Sequence, residues 1–177
     1  MTFIEDLANL DAQQENRPKF TTIVKIGITP EGQYCVGRNP DNIDGWLNKN
    51  QILDAIPNIN FAPVTSADPF FFSVYGWQRL VFTLAPDAWF YQQTVAPFVL
   101  TTPDPYKNFK DVVLLDDDPY SLGRSKTLYL TDDNKKGGPE LFHYDLMIDI
   151  WQAPGSVDSA RTQTVIDPGL KNDQEPE

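Results

Sequence analysis

The sequence predicts an all-β fold, an antiparallel sandwich of about seven to nine strands with a short N-terminal helix. Three observations support this. Short apolar segments alternate with turn-forming residues along most of the chain. Fifteen prolines disfavour long helices, and aromatic residues make up 12% of the sequence, which supplies bulky side chains for a core. A length of 177 residues suits one domain.

The first residues predict the helix. Thr2 and Glu5 have the spacing of a capping box, and the apolar residues that follow recur at helical intervals. The chain is therefore divided into a helical extension at 1–18, a β-sandwich domain at 19–167 and a polar tail at 168–177.

The strand pattern is clearest over Leu141–Trp151, where every second residue is apolar and the residues between them are mixed. Residues 20–28 and 33–36 flank a Pro-Glu-Gly turn, which predicts a hairpin. A short helix is predicted at 51–56. Further strands are predicted at 69–75, 78–84, 89–91, 97–100, 111–115, 126–130 and 162–166.

The net charge excludes some classes of partner. Fourteen basic and 25 acidic residues give a formal charge of −11, and the longest basic run is Lys135–Lys136. Because nucleic-acid and anionic-membrane binding both depend on basic clusters, neither is expected. No apolar stretch reaches the ~20 residues of a membrane-spanning helix, so we expect no membrane insertion.

The compartment is predicted from cysteine usage and from the N-terminus. Cys35 is the one cysteine, so the chain cannot form an internal disulfide. The first residues show neither the basic nor the apolar region of a secretory signal. We therefore expect a cytoplasmic protein.

Catalytic and transition-metal sites lack the residues that they require. His143 is the one histidine, and Asp145 follows it on the same strand face, but no Gly-x-Ser-x-Gly motif accompanies them. One histidine and one cysteine are too few ligands for a zinc or blue-copper site. The sequence therefore predicts no catalytic residue and no cofactor other than a candidate calcium ion.

The calcium hypothesis depends on two acidic turns. Asp116, Asp117 and Asp118 form one, and Asp132 and Asp133 belong to the other. Carboxylate oxygens are the ligands that Ca²⁺ prefers, although neither run has the EF-hand spacing. If the two turns lie at the same end of a sandwich, they form an oxygen-rich site; otherwise they are solvated turn residues.

Three tryptophans suggest a ligand platform. Trp77, Trp89 and Trp151 lie in or beside predicted strands, and an exposed aromatic face can stack on a sugar ring. The alternative is that they are core residues. Acidic residues beside aromatics also permit a carboxylate-dependent hydrolase, which requires two carboxyl groups in one cleft.

The C-terminal third carries a resemblance. The run KTLYLTDDNKKGGPELFHYDLMIDI is followed by IDPGLKND, and Asp167-Pro168 precedes Glu175-Pro176. These motifs resemble the uncharacterised bacterial DP-EP family. The resemblance implies an immunoglobulin-like sandwich from a bacterium, with no established activity and no catalytic residues to transfer.

Three functional hypotheses remain. The first is a non-enzymatic module that associates with itself or with another protein, because sandwiches have strand edges available for pairing. The second is a carbohydrate- or calcium-binding module, and the third is the carboxylate-dependent hydrolase.

Overall fold

The structure is a computed structural model that describes residues 20–28, 34–38, 47–60, 62–63, 72–85, 88–91, 96–115, 124–134, 141–151, 161–166 and 169–173. Most of these residues are in strands, which confirms the all-β class. The predicted N-terminal helix at 1–18 lies outside them. No helix of the described part is long and apolar enough to span a membrane.

The described residues form thirteen strands, one α-helix and one 3-10 helix. The strands are β1 (Phe20–Ile28), β2 (Tyr34–Arg38), β3 (Ala62–Pro63), β4 (Phe72–Tyr75), β5 (Gln78–Ala85), β6 (Ala88–Tyr91), β7 (Phe98–Leu100), β8 (Phe109–Leu114), β9 (Arg124–Ser125), β10 (Thr127–Asp132), β11 (Leu141–Trp151), β12 (Arg161–Ile166) and β13 (Gly169–Asp173). The helices are α1 (Lys49–Ala55) and the 3-10 turn Ile56–Asn58.

The strands form two sheets. The first has the order β3-β2-β1-β5-β10-β8. The second has the order β4-β13-β11-β6-β9, and β7 and β12 also pair with β11. The predicted hairpin is confirmed, because β1 and β2 pair in antiparallel fashion.

Two predictions about strand number and direction were wrong. The thirteen described strands exceed seven to nine. The pattern misses β3 and β9, which have two residues each and show no periodicity, and it also misses β13. The sheets are mixed instead of purely antiparallel, since β1 pairs with β5 and β4 with β13 in parallel. A parallel pair needs a long connection between its strands, and α1 lies within the one that joins β1 to β5.

The segment predicted as a polar tail contains a strand, because residues 169–173 form β13. Ile166 of β12 lies opposite Leu146, and Gly169 of β13 lies opposite His143. The three residues from Ile166 to Gly169 therefore match the three residues from Leu146 back to His143 on β11. β12 and β13 therefore share one register on the same side of β11. Backbone pairing does not depend on apolar side chains, which explains why the polar composition of this segment hides the strand.

The two sheets are joined at one corner. The chain passes from β5 in the first sheet to β6 in the second, and from β9 back to β10. The Leu84 N–H donates to the carbonyl of Lys126 (2.8 Å), and Phe90 lies opposite Ser125 beyond it. The β5–β10 ladder thus continues into the β6–β9 ladder, an arrangement typical of sheets that share a bent corner.

The main core lies between the sheets. Phe82 and Leu128 from the first sheet pack in one cluster with Phe142 and Tyr144 from the second, and all four are at most 1% exposed. The Phe82 and Tyr144 ring centroids are 5.6 Å apart. Phe142, Tyr144, Leu146 and Ile148 of β11 therefore face the core, as the alternation predicted.

A second cluster covers the outer face of the first sheet. Ile52 of α1 is completely buried against Ile23, Val81 and Tyr129. The helix begins at a capping box, because the Asn48 side chain accepts from the N–H of Gln51 and the Gln51 side chain accepts from the N–H of Asn48.

Polar side chains fix both ends of this helical segment. Before it, the Leu47 N–H donates to the Thr21 hydroxyl (3.1 Å). After it, the Lys25 ammonium group lies 3.4 Å from the carbonyl oxygens of Ile56 and Ile59. The segment that contains α1 thus packs on the outer face of the first sheet.

Candidate functional site

The outer face of β11 becomes less exposed along the strand. Leu141 is 46% exposed and His143 is also exposed, whereas Asp145 and Met147 are half-buried. Asp149 is only 1% exposed. The open part of this face is therefore its first half, around His143.

Strand β7 lies beside this open part. Val99 pairs with Asp145 and therefore shares the outer face of the sheet with it. Its side chain is 39% exposed. Phe98 and Leu100, which flank it in sequence, pack against the main core instead. The alternation of a half-buried strand thus presents one valine to solvent.

The loop after β7 is anchored to the same place. The N–H groups of Thr101 and Thr102 lie 3.0 and 3.3 Å from the carbonyl oxygen of His143, and the Thr102 hydroxyl accepts from the His143 N–H at 2.9 Å. Tyr106, further along this loop, is 46% exposed. The loop is therefore held to β11 at its base.

Strands β7 and β11 and the loop after β7 contain all the large exposed hydrophobic side chains found among the described residues, namely Val99, Tyr106 and Leu141. Val99 and Leu141 lie on the same face of the second sheet, and His143 lies between them in the register. We call Val99, Leu141 and His143 the β7–β11 patch. It combines exposed apolar side chains with one imidazole, and the Thr102 hydroxyl lies beside it.

The patch does not contain a nucleophilic triad. No hydrogen bond joins the His143 imidazole to Asp145 or to a serine of the described segments. Ser125 is completely buried, and its hydroxyl donates to the carbonyl of Thr127 at 2.9 Å.

The acidic turn at Asp132–Asp133 has a structural role. One Asp132 oxygen accepts from the N–H of Asn134 (2.9 Å), which holds this residue at a φ of 45°. Asp133 lies 3.0 Å from the ammonium group of Lys110. Nearby, the Asp104 carboxylate accepts from the Asn108 amide (3.0 Å) and the Phe109 N–H (3.2 Å).

The second acidic turn, Asp116, Asp117 and Asp118, lies outside the described residues. The preceding residue, Leu115, donates its N–H to the carbonyl of Thr127, whereas Asp132 lies opposite Phe109. Thr127 and Asp132 are the two ends of β10, about 17 Å apart at ~3.4 Å per residue. The β8–β10 ladder therefore does not support convergence of the two turns. Within the described ranges, no three His, Cys, Asp or Glu residues are grouped to hold a metal ion.

The three tryptophans of the predicted platform are not brought together. Trp89 is the cross-strand partner of Asp149, and Trp151 follows two residues later on β11. Trp77 precedes β5, and its carbonyl accepts from the N–H of Phe20 (3.2 Å). The side chains of Trp89 and Trp151 lie outside the description. Trp77 is half-buried, and no acceptor in the described segments reaches its buried indole N–H.

The register places Trp77 at the other end of the sandwich from Trp89. Trp77 follows β4, which ends at Tyr75. Tyr75 pairs with Asp173 of β13, and Asp173 lies two residues past Lys171, the partner of Leu141 at the start of β11. Leu141 and Asp149, the partner of Trp89, are eight residues apart on β11, about 27 Å at ~3.4 Å per residue. The register therefore separates the Trp77 backbone from that of Trp89, and the ligand platform stays a prediction.

Sequence reasoning missed Val99 as a candidate residue. The signal was present, because Val99 is flanked by Phe98 and Leu100, and a strand whose outer two residues face the core exposes the middle one. What the sequence does not contain is the pairing of β7 with β11, which places Val99 opposite Asp145, on the same face as Leu141 and about 14 Å from it at ~3.4 Å per residue.

No known family model matches this chain, and no curated protein matches it.

Proposed function

We propose that this protein is a non-enzymatic interaction module that binds a basic protein partner through the β7–β11 patch. The observation that supports the proposal is the position of the exposed apolar side chains: Val99 and Leu141 lie on one face, on either side of His143. Apolar surface with a polar rim is typical of a protein-binding site.

The charge favours a basic partner over a second copy. Each chain carries a formal charge of −11. Two copies therefore repel each other at long range, whereas a cationic polypeptide is attracted and its encounter rate is raised.

A charge-matched pair of variants tests the proposal. The probe is a short, fluorescently labelled peptide of alternating lysine and valine, and its affinity is measured by fluorescence anisotropy. Val99→Lys adds one positive charge inside the patch, whereas Asn50→Lys adds one on the exposed surface of α1, behind the opposite sheet. We expect Val99→Lys to weaken binding at least about tenfold and Asn50→Lys to leave it within about twofold.

Salt separates the two kinds of partner. Raising the ionic strength from about 0.1 to about 1 M shortens the Debye length from about 10 Å to about 3 Å. Binding of the cationic peptide should weaken, whereas self-association should strengthen because repulsion is screened. A second copy would be the partner if three results are found together. The wild type forms a dimer in sedimentation that is stronger at high salt, Val99→Lys does not form this dimer, and the peptide does not bind. Equal effects of the two variants on peptide binding would refute the role of the patch.

A carbohydrate site is the second candidate. The register sets Trp89 opposite Asp149 and two residues away from Trp151 in the ladder, which is the spacing at which cross-strand aromatics reach each other. Titration with soluble oligosaccharides, followed by intrinsic tryptophan fluorescence in wild type and Trp151→Ala, tests it. No saturable change in wild type would end this candidate.

The finer identity of the protein forms part of the same proposal. Two stacked sheets with one shared core support an immunoglobulin-like sandwich of the DP-EP kind, as the C-terminal motifs suggested. The acidic charge and the single cysteine support a cytoplasmic location. Fluorescence microscopy of the tagged protein in its host tests the location.

A further inference from the structure

We infer that the partner binds as an added β-strand along the outer edge of β7. This inference depends on the proposed function and specifies how the β7–β11 patch is used. Strand addition is a common mode of peptide recognition, in which backbone hydrogen bonds give affinity and alternate side chains give specificity.

The hydrogen-bond register of β7 shows which backbone groups are available. The Met147 N–H donates to the carbonyl of Pro97, and the Thr101 N–H donates to the carbonyl of His143. In an antiparallel ladder, hydrogen-bonded and non-hydrogen-bonded pairs alternate, so Val99 is hydrogen-bonded to β11. The N–H and C=O groups of Phe98 and Leu100 therefore point away from β11, towards the outer edge.

No described strand lies on that edge. β7 pairs with β11 on one side, and the described part of the second sheet contains no strand on its other side. The backbone around β7 is extended far enough to present four groups, two N–H and two C=O, because the ladder bonds run from Pro97 to Thr101. Val99 sets an exposed apolar side chain beside them.

The two edges of the first sheet have features that disfavour the addition of a strand. β8 contains a register shift in its ladder with β10 and a φ of 54° at Asp111, which are features of a bulge. Lys110 on this strand is exposed and paired with Asp133. β3 at the other edge has two residues and includes Pro63. Bulges, charges and prolines are the usual devices that block edge pairing.

The occupant is an extended basic segment of a protein partner. The added strand continues the outer face of the sheet beyond Val99, so a residue on that face of the segment lies beside Val99 and should be apolar. The remaining residues should carry the positive charge that complements a protein of net charge −11. An alternating lysine–valine peptide has both features and serves as the probe.

Amide hydrogen exchange measured by NMR tests the inference directly. In the free protein, we expect the Phe98 and Leu100 amides to exchange quickly and the Val99 amide to exchange slowly, because only Val99 donates to β11. On saturation with the lysine–valine peptide, exchange at Phe98 and Leu100 should slow at least tenfold. Val99, already protected, is the internal control.

The outcomes separate this inference from the proposed function. If the peptide binds and Val99→Lys weakens it, but Phe98 and Leu100 keep their free exchange rates, the patch binds by its face and strand addition is refuted. Slow exchange at both amides in the free protein would also refute it, since the edge would already be paired. If the peptide does not bind at all, the proposed function fails together with this inference.

Discussion

Replacement of Ile52 by alanine should separate α1 from the first sheet. Ile52 is completely buried at the centre of the second cluster, against Ile23, Val81 and Tyr129. An isoleucine-to-alanine change at such a site removes the transfer free energy of three carbon atoms and leaves a cavity, which lowers the free energy of unfolding by about 2–5 kcal/mol. A helix of seven residues does not persist in water without packing, so the segment has little other support.

The change is measured by urea and thermal unfolding, followed by circular dichroism. A loss of about 3 kcal/mol corresponds to a fall in Tm of about 6–12 °C for a chain of this size. Asp54→Ala, at an exposed position of the same helix, is the control and should change stability by less than about 0.5 kcal/mol. A loss below about 1 kcal/mol for Ile52→Ala, or equal losses for both variants, would refute the packing of α1 on the sheet.

Three further predictions concern the same fold and are read by the same unfolding assays. Asn48→Ala removes the capping box and should destabilise by about 1 kcal/mol, whereas no loss would contradict the cap. Phe142→Ala deletes a completely buried ring whose centroid lies 4.9 Å from that of Phe109 and should remove about 3–5 kcal/mol; a loss under 1 kcal/mol would place it outside the core. Lys110→Ala breaks the ion pair with Asp133. Because the Lys110 side chain is 47% exposed, the free energy of unfolding should fall by less than about 1 kcal/mol. A larger fall would show that solvent does not screen the pair.

Periodicity predicted the parts of the fold in which side chains alternate strictly. Leu141–Trp151 is the best case, because Phe142 and Tyr144 are buried whereas Leu141 and His143 are exposed. β5 and the hairpin of β1 and β2 also follow the prediction. The helix at 49–55 was predicted within two residues of its ends.

The remaining features depend on pairing between distant segments. The parallel register of β1 on β5 is fixed by the core that both strands share, and no local pattern encodes it. The same limit applies to β13, because no local pattern encodes its register with β11. The candidate site was missed for this reason, since Val99 and Leu141 are far apart in sequence and the β7–β11 ladder places them on one face of the sheet.

The central claim is that the β7–β11 patch binds a basic protein segment, and NMR mapping of the lysine–valine peptide on ¹⁵N-labelled protein tests it most directly. We predict that the largest amide shift changes fall in residues 98–102 and 141–145, on β7 with the start of the next loop and on the open half of β11. Changes centred on α1, or spread evenly over the acidic surface without these two segments, would contradict it.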